Sequence, residues 1–391
     1  MKKSFSIFMS LLMILSIIPM SAINSSALSF GDYEYAISTS GAMKAVITRY
    51  NGTDENVVVP SYILGFEVVA ILDNAFNSND KIKTVTVQNG ILSIGKFAFN
   101  NCINLEKVIL PDSIQEIGNL AFQGCKKLAS INIPSKLDTI SAYLFSGCSS
   151  IPNIILPETI KTIGNYAFFD CSSLANIAIP KATTRIGDWA FAGCQLLKNM
   201  DFSENIQYIG MHIFDECANF TSFNVSRENK EYMSIDGVLF SNDTNELIQY
   251  PYGKAGNYTI PNGTHKIAEM AFYNCKGIDS VVIPNTITDI GQSAFRGCIG
   301  LKNIIIPESV NSVGNQAFSG CVNLKTASIP SSLKKIPAFA FSECTSLDNI
   351  IIPEGITSIE SSAFRGCSAL LEISVPQSVN AVGESVCVGT K

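Results

Sequence analysis

Apolar residues recur along this chain with a period of 23 positions. One repeat, written from Ile114, reads I-x-x-I-G-x-x-A-F-x-x-C-x-x-L-x-x-I-x-I-P-x-x. Near its end, Leu128, Ile131 and Ile133 precede Pro134, and alternation of this kind is typical of a short strand. Proline ends the strand because it has no backbone N–H to donate. Each repeat therefore predicts one coil with a short strand, and the glycine after the second isoleucine predicts a tight turn.

The phenylalanine of the Ala-Phe pair sets the register of the repeats. It recurs in steps of 23 residues, with one step of 58 residues that holds a 35-residue insertion, at Phe76, Phe99, Phe122, Phe145, Phe168, Phe191, Phe214, Phe272, Phe295, Phe318, Phe341 and Phe364. One coil cannot bury its apolar positions alone, but stacked coils bury them as ladders, with parallel strands ~4.8 Å apart. The spacing therefore predicts a solenoid.

The repeat wording "IG..AF..C..L..I.IP" and two further passages carry a resemblance to a known family. The passages are the opening unit at residues 35–76 and a variant repeat at residues 232–264. With them, the chain resembles the BspA-like leucine-rich repeat family of bacterial surface proteins over essentially its whole length after a predicted N-terminal signal peptide. The resemblance implies a leucine-rich-repeat-like, curved, right-handed coil stack with short parallel strands, few short helical turns and one inserted hairpin. It also implies a binding face, with adhesion to host or neighbouring-cell surfaces as the commonest role.

The N-terminus has the pattern of an export signal. Lys2 and Lys3 precede an apolar run at residues 5–20, and small residues follow up to Ala27, where we expect cleavage. We find no lipobox and no wall-sorting motif, so we expect a secreted or cell-surface protein that does not insert into the membrane after signal removal. The predicted organisation is a signal peptide (1–27), an N-terminal capping coil (28–71), a first block of coils (72–228), a hairpin-bearing variant repeat (229–264) and a second block with an incomplete last coil (265–391).

Twelve cysteines in a chain with an export signal raise the question of disulfides. Eleven share one register, which would stack their side chains in parallel with Cβ atoms ~4.8 Å apart, beyond the usual disulfide spacing. We therefore expect a ladder of buried, unbridged thiols. Cys387 stands instead in the phenylalanine register of the last coil, where we expect partial exposure.

The residue before each Ala-Phe pair varies from coil to coil. From Phe97 to His212 it is always large and mostly aromatic, which predicts a row ~24 Å long over five coil steps. Two interpretations stay open: a stripe that binds a ligand, or rings that pack flat over the outer wall. The candidate ligand-binding residues are Phe97, Tyr143, Tyr166, Trp189 and His212, together with Tyr250 in the insertion.

Two other features predict surface contacts. In the insertion, residues 237–240 and 246–250 flank the polar sequence SNDTN and predict a hairpin that projects from the solenoid. Along the strands, a nearly uncharged polar row includes Asn153, Asn176 and Asn199. That row could present hydrogen bonds to a ligand, or its side chains could pair with each other along the ladder.

Composition argues against several classes of function. The formal net charge of −6 does not favour nucleic acid, and two histidines and scattered carboxylates supply no catalytic or metal-binding constellation. A polysaccharide-active β-helical enzyme is therefore disfavoured, and we expect no catalysis, cofactor or metal. We predict binding of a host or microbial surface protein or glycan. The alternative is a passive scaffold that self-associates through its C-terminal coil, whose sheet edge has no evident polar cap.

Overall fold

The computed structural model describes residues 28–38 and 42–390, and the chain divides into two compact units. Unit 1 extends to Cys194, and unit 2 begins at Gln195. The predicted export signal at residues 1–27 lies outside the described residues. All regular elements in the described ranges are short strands.

Unit 1 begins with antiparallel strands and continues with parallel ones. Strands β1, β2 and β3 are antiparallel, and β3 then pairs in parallel with β6. The sheets run β1-β2-β3-β6-β8-β10, with β5 on β6, then β11-β9-β7-β4, β12-β14-β16 and β13-β15. The strands are β1 (Leu28–Phe30), β2 (Tyr33–Ile37), β3 (Ala45–Tyr50), β4 (Asn56–Val59), β5 (Tyr62–Ile63), β6 (Phe66–Ile71), β7 (Thr84–Val87), β8 (Ser93–Ile94), β9 (Lys107–Ile109), β10 (Glu116–Ile117), β11 (Ser130–Ile131), β12 (Thr139–Ile140), β13 (Asn153–Ile154), β14 (Thr162–Ile163), β15 (Asn176–Ile177) and β16 (Arg185–Ile186).

Unit 2 contains the insertion and the second series of coils. Its sheets include β17-β19, β20-β21-β22-β24-β26-β28, β23-β25-β27-β29-β31 and β30-β32-β33. The strands are β17 (Asn199–Phe202), β18 (Tyr208–Ile209), β19 (Ser222–Val225), β20 (Tyr232–Ile235), β21 (Val238–Ser241), β22 (Glu246–Gln249), β23 (Gly256–Thr259), β24 (Lys266–Ile267), β25 (Ile278–Val282), β26 (Asp289–Ile290), β27 (Asn303–Ile305), β28 (Ser312–Val313), β29 (Thr326–Ser328), β30 (Lys335–Ile336), β31 (Asn349–Ile351), β32 (Ser358–Ile359) and β33 (Ala381–Val382).

The strand register follows the 23-residue period. Thr139 pairs with Thr162, and Ile163 pairs with Ile186, so that each residue lies beside its equivalent in the next coil. Regular coils contribute two such strands, one before the proline and one before the turn glycine, except that no strand precedes Pro376. The predicted fold class is confirmed, because each unit is a stack of repeat coils joined by short parallel strands.

The phenylalanine register forms the centre of the core. In unit 1 the rings from Phe76 to Phe191 stack with centroid separations of 4.6 to 6.0 Å. In unit 2 the rings from Phe272 to Phe364 stack at 4.6 to 5.7 Å. Tyr50 starts the first of these ladders, with its ring 5.1 Å from that of Phe76.

The eleven cysteines in one register are buried, as predicted, and Cys387 is exposed. Within the coil stacks, nine of these thiols donate a hydrogen bond to the carbonyl of the phenylalanine in the preceding coil. Cys171 Sγ, for example, lies 3.2 Å from Phe145 O, and Cys298 Sγ lies 3.0 Å from Phe272 O. Cysteine suits this position because its side chain is small and apolar enough to be buried and its thiol can donate a weak hydrogen bond to the carbonyl.

The segment around each Ala-Phe pair contains two left-handed residues. One directly precedes the Ala-Phe pair, such as Tyr166 with φ 56°, and the other directly precedes the cysteine, such as Gly193 with φ 77°. Hydrogen bonds such as Phe169 N to Tyr166 O close turns of four residues. The few short helical turns that we expected are therefore tight turns throughout the described ranges.

The glycine after the second isoleucine has a different role from the one predicted. At Gly118 and Gly164, φ does not lie in the left-handed region. A Cβ atom at Gly118 would instead lie 2.7 Å from the backbone nitrogen of Lys96 in the preceding coil. These glycines are therefore required where neighbouring coils approach each other closely, rather than for backbone conformation.

The insertion forms the predicted hairpin, but the hairpin is part of a sheet in unit 2. Strand β21 pairs antiparallel with β22, and β22 then pairs in parallel with β24 of the next coil. Val238, Phe240 and Leu247 are buried. The prediction of a projecting hairpin was therefore wrong, because its apolar residues complete the core of the coil stack.

Candidate functional site

The varied residue before each Ala-Phe pair occupies the same backbone conformation in every coil. Its φ lies between 52° and 62° whether the residue is serine, glutamine, leucine, tyrosine or tryptophan. Left-handed backbone costs an ordinary L-residue roughly 1–2 kcal/mol, because Cβ crowds the following carbonyl. Phe97, Tyr143, Tyr166 and Trp189 are half-buried at this position, so each of them also has a surface that faces solvent, whereas the side chain of His212 is only 10 % exposed.

Three candidate residues of unit 1 form a continuous stack. The ring centroids of Tyr143 and Tyr166 are 4.5 Å apart at an interplanar angle of 6°, and those of Tyr166 and Trp189 are 6.0 Å apart at 2°. Phe169 meets Tyr166 edge-on at 5.6 Å. We call these four residues the aromatic patch.

Stacking determines which atoms of the aromatic patch a ligand can reach. Both faces of the Tyr166 ring are covered, one by Tyr143 and the other by Trp189, which leaves ring edges and polar groups at the surface. Burial raises the pKa of the Tyr166 hydroxyl, and the nearby Tyr143 and Asp188 raise it further. The hydroxyl therefore remains a neutral donor and acceptor at physiological pH.

The other two candidates of this register, Phe97 and His212, have different surroundings. Leu120 lies between the coils that carry Phe97 and Tyr143, so it interrupts the aromatic series. His212 belongs to unit 2, where its Nδ1 lies 2.6 Å from Asp215 Oδ2 and its ring packs against the edge of Tyr273 at 5.6 Å.

Tyr250 is not available to a ligand in this structure. Its side chain is only 1 % exposed, and its ring lies 4.9 Å from that of Phe272 and 5.1 Å from that of Tyr258. Its carbonyl also accepts a thiol hydrogen bond from Cys275. Tyr250 therefore occupies the phenylalanine register at the start of a ladder, and its prediction as a surface residue is corrected.

In unit 2, two pairs of side chains in the polar row along the strands hydrogen-bond to each other. Ser280 Oγ donates to Asn257 Oδ1 at 2.7 Å, and Thr326 Oγ1 donates to Asn303 Oδ1 at the same distance. Pairing along the ladder therefore accounts for these four side chains, as one of the two interpretations predicted.

The sequence analysis missed two groups of surface residues. Phe169, three positions after Tyr166 in the sequence "YAFFD", could have been found from the doubled phenylalanine. On the strand face of unit 2, Ile305 and Ile351 are 74 % and 72 % exposed and flank a depression of about 300 Å³ over Ala327 and Ser328. The triple isoleucine in "NIIIP" was the signal, since its middle residue faces away from the core.

Two negative findings concern the described residues. No group of three or more histidine, cysteine, aspartate or glutamate side chains in residues 28–38 and 42–390 is arranged to hold a metal ion. The same ranges contain no helix with the length and apolar character needed to cross a bilayer.

Solved structures of three bacterial proteins are similar to this chain. A leucine-rich cell surface protein from Faecalibacterium prausnitzii is 26 % identical with a TM-score of 0.59, and the alignment covers 93 % of this chain and 95 % of that one. A leucine-rich repeat protein from Bacteroides ovatus is 26 % identical with a TM-score of 0.65 and coverages of 93 % and 92 %. One from Eubacterium ventriosum is 25 % identical with a TM-score of 0.62 and coverages of 92 % and 93 %.

Family comparison agrees with the repeat architecture. A search of curated proteins finds no match to this sequence. The family model for the BspA type leucine-rich repeat region, in contrast, matches residues 69–180, 138–260 and 265–390 with six copies. These matches span most of the chain and both series of coils. The chain therefore belongs to the BspA-type leucine-rich repeat family.

Proposed function

We propose that this protein is an exported, non-catalytic binding protein that recognises a partner protein at the bacterial cell surface through the aromatic patch. The observation that carries this proposal is the stack of Tyr143, Tyr166 and Trp189, held at left-handed positions in three consecutive coils. Export rests on the N-terminal sequence pattern, and a surface location is supported by the similarity to the cell surface protein of Faecalibacterium prausnitzii.

The fold itself does not require aromatic residues in this register. Ser293, Ser362 and Ser385 adopt the same backbone conformation as Tyr166. Aromatic stacking contributes about 0.5–1.5 kcal/mol for each pair of rings. This gain is similar in size to the cost of left-handed backbone at one residue, roughly 1–2 kcal/mol. Wall packing is the alternative explanation of the stack, because rings in adjacent coils stabilise the fold by stacking even without a ligand, and the binding measurements on patch variants separate the two explanations.

The geometry of the stack favours a protein ligand over a glycan. Sugars commonly dock on open aromatic faces, but both faces of Tyr166 are covered by neighbouring rings. Half-buried rings with tyrosine hydroxyls suit a protein ligand, because tyrosine and tryptophan are enriched among the residues that dominate binding energy at protein interfaces.

Immobilised extracellular-matrix proteins and a glycan array, probed with the purified chain, test this proposal. We expect saturable binding to a protein ligand, with at least a tenfold loss on Tyr166→Ser and on Trp189→Ser, because interface aromatics commonly contribute more than about 1.4 kcal/mol. Phe339→Ser is the matched control, since Phe339 has the same φ of 57° in unit 2 but stands between Gln316 and Ser362 in its register.

The outcomes separate the candidate functions. Equal loss of binding in all three variants would point to general destabilisation, and no loss in either patch variant would exclude the aromatic patch. Binding to glycans alone would contradict the protein ligand. If binding is lost instead on Ile305→Asn and Ile351→Asn, the exposed strand face of unit 2 is the site, which is the second candidate surface.

A further inference from the structure

We propose that the strand face of unit 2 pairs with the same face of a second copy of this chain. The part involved, which we call the outer row, is the register of exposed residues that end strands β25, β27, β29 and β31, together with its equivalent in the next coil. In consecutive coils the outer row holds Val282, Ile305, Ser328, Ile351 and Ser374. The proposal is independent of the aromatic patch, which lies in unit 1.

Large and small side chains alternate along the outer row. Ile305 pairs with Ser328, and Ser328 pairs with Ile351, so a serine stands between two isoleucines that are more than two-thirds exposed. The isoleucines are two coil steps apart, roughly 10 Å, and the depression over Ser328 is the gap between them. Ser328 Oγ accepts a hydrogen bond from Ile306 N at 3.0 Å, so the hydroxyl is turned toward the backbone and leaves the gap open.

A twofold axis between the coils of Ser328 and Ile351 makes the outer row complementary to itself. An axis that lies in the contact plane and runs parallel to the strands reverses the order of the coils in the second copy and keeps row opposite row. Ile351 of each copy would then enter the gap at Ser328 of the other copy, and Ile305 would lie over Ser374. The contact removes the exposed surface of these isoleucines from water.

The charges beside the outer row are complementary about the same axis. The register one position before Asn303 holds Asp279, Lys302, Lys325 and Asp348 in consecutive coils. Lys302 Nζ lies 3.0 Å from Asp279 Oδ1, whereas the exposed Lys325 and Asp348 belong to no ion pair within residues 28–38 and 42–390. The proposed axis places Lys325 of each copy opposite Asp348 of the other, so it pairs the two charges that are not already paired within the chain.

Other positions of the axis bring like charges together. Moving the axis by one coil toward the N-terminus would place Lys302 opposite Lys325 and Asp279 opposite Asp348. An axis through the coil of Ser328 would place Lys325 opposite its own copy. Like charges held opposite each other disfavour a wrong pairing, so the charges and the side-chain sizes select the same register.

The strand face of unit 2 fits its own copy better than it fits the equivalent face of unit 1. The outer-row register of unit 1 also contains exposed isoleucines, Ile109 and Ile155. The register of Lys325 and Asp348, however, holds no lysine or arginine in those coils, where it consists of Glu106, Ala129, Pro152 and Ala175. Unit 1 therefore has no cation at this register to lie opposite Asp348, and the second copy of unit 2 has one.

Sedimentation velocity of the chain beginning at Leu28, from micromolar to millimolar concentration, tests the proposal. Because the contact spans only a few coils, we expect a weak and reversible dimer. Ser328→Ile should abolish it, because the new side chain fills the gap that Ile351 of the other copy enters. Association driven by apolar surface alone would instead become tighter in this variant. Ala178→Ile is the matched control, since it makes a similar change in the outer-row register of unit 1 and should leave the dimer unchanged.

Exchange of charges supplies a second test at two exposed positions. Lys325→Asp places two aspartates opposite each other, and Asp348→Lys places two lysines opposite each other, so each variant should weaken dimerisation roughly tenfold. The double variant Lys325→Asp/Asp348→Lys restores opposite charges and should dimerise as the wild type does. These variants leave the core ladders intact, and circular dichroism verifies that each variant is folded.

Four results would overturn the proposal. They are a monomer at all concentrations, a dimer that is as tight or tighter in Ser328→Ile, a double charge variant that is as weak as the single ones, and loss of the dimer in folded Ala178→Ile. Loss in Ser328→Ile together with recovery in the double charge variant would establish both the face and the register of the contact.

Discussion

At the level of single residues, Tyr250 shows how the insertion rejoins the repeat. Its ring takes the place of a phenylalanine in the ladder, but its hydroxyl is buried and has no hydrogen-bond partner among the described residues. A buried polar group without a partner costs about 1–3 kcal/mol. The Tyr250 ring therefore stabilises the ladder as a phenylalanine ring would, whereas its hydroxyl lowers the stability of the folded chain.

Replacing Tyr250 with phenylalanine should therefore stabilise the protein. We expect Tyr250→Phe to raise the free energy of unfolding by about 1 kcal/mol, since the ring stack is kept and the unpaired hydroxyl is removed. Urea unfolding followed by circular dichroism measures the change. Tyr232→Phe is the control with the opposite sign, because the Tyr232 hydroxyl accepts a hydrogen bond from Ile209 N at 3.1 Å. A loss of stability in Tyr250→Phe would mean that the hydroxyl has a buried partner.

At the level of the element, the turn segment of each coil uses glycine for two separate reasons. Glycines such as Gly193 and Gly320 occupy left-handed backbone, a conformation that Asn274 and Asp170 also adopt in the same register. Gly118 and Gly164 instead leave room for the backbone of the neighbouring coil. The two kinds of glycine are distinguishable by substitution at Gly118 and Gly320, because a Cβ atom at Gly118 would lie within 3 Å of the backbone of the neighbouring coil, whereas one at Gly320 would have no atom closer than 3.7 Å.

The Gly118→Ala variant should be destabilised by about 1–3 kcal/mol, the usual consequence of overpacking. The reason is that its Cβ would lie 2.7 Å from Lys96 N and 2.8 Å from the carbonyl carbon of Gly95. Gly320→Asn should change stability little, since asparagine tolerates φ near 72° and the nearest atom to its Cβ lies 3.7 Å away. Thermal unfolding of the two variants makes the comparison, and equal effects would refute this distinction between the glycines.

The periodicity of the sequence predicts the elements but not the contacts between them. Phe122, Cys125 and Leu128 recur at fixed spacing, and fixed spacing is enough to predict parallel strands and stacked ladders. The close approach at Gly118 depends on the distance between coils, which no single repeat encodes. Tyr250 was misjudged for the same reason: it lies 22 residues before Phe272, and the insertion obscured its place in the register.

The candidate site was predictable in position but not in geometry. The row of large residues from Phe97 to Trp189 was visible in the sequence, because equivalent positions of stacked coils must lie side by side. Whether two rings expose faces or edges depends on side-chain rotamers and on the left-handed backbone at Tyr143, Tyr166 and Trp189. Neither property follows from the repeat pattern.

At the level of the whole molecule, the buried thiols make the folded state less stable at alkaline pH. Burial raises the pKa of Cys275, Cys298, Cys321 and Cys344 well above the ordinary value of 9.0, and that of Cys367 to about 12. Below pH 9 these thiols are protonated in both the folded and the unfolded chain. Above pH 9 they ionise first in the unfolded chain, so the folded state loses stability as the pH rises toward the folded pKa.

The free energy of unfolding should consequently fall steeply above pH 9, by about 1.4 kcal/mol per pH unit for each of these five thiols. Replacing one of them, as in Cys298→Ala, should reduce this slope by the contribution of one thiol, about 1.4 kcal/mol per pH unit. The variant should also be less stable at neutral pH. Urea unfolding in steps from neutral pH to about pH 11 measures both slopes in the presence of a reductant. Identical slopes in the wild type and in Cys298→Ala would exclude thiol ionisation as the cause.

The left-handed register before each Ala-Phe pair has a consequence for how this molecule can change. The same turn accepts serine at Ser293, glutamine at Gln316 and tryptophan at Trp189, with φ between 52° and 59°. Folding is specified by the phenylalanine, cysteine and isoleucine ladders, which leaves this position available to vary. Each coil therefore has one surface position that tolerates different side chains. Point substitutions at these positions can change the binding surface while the core ladders stay the same.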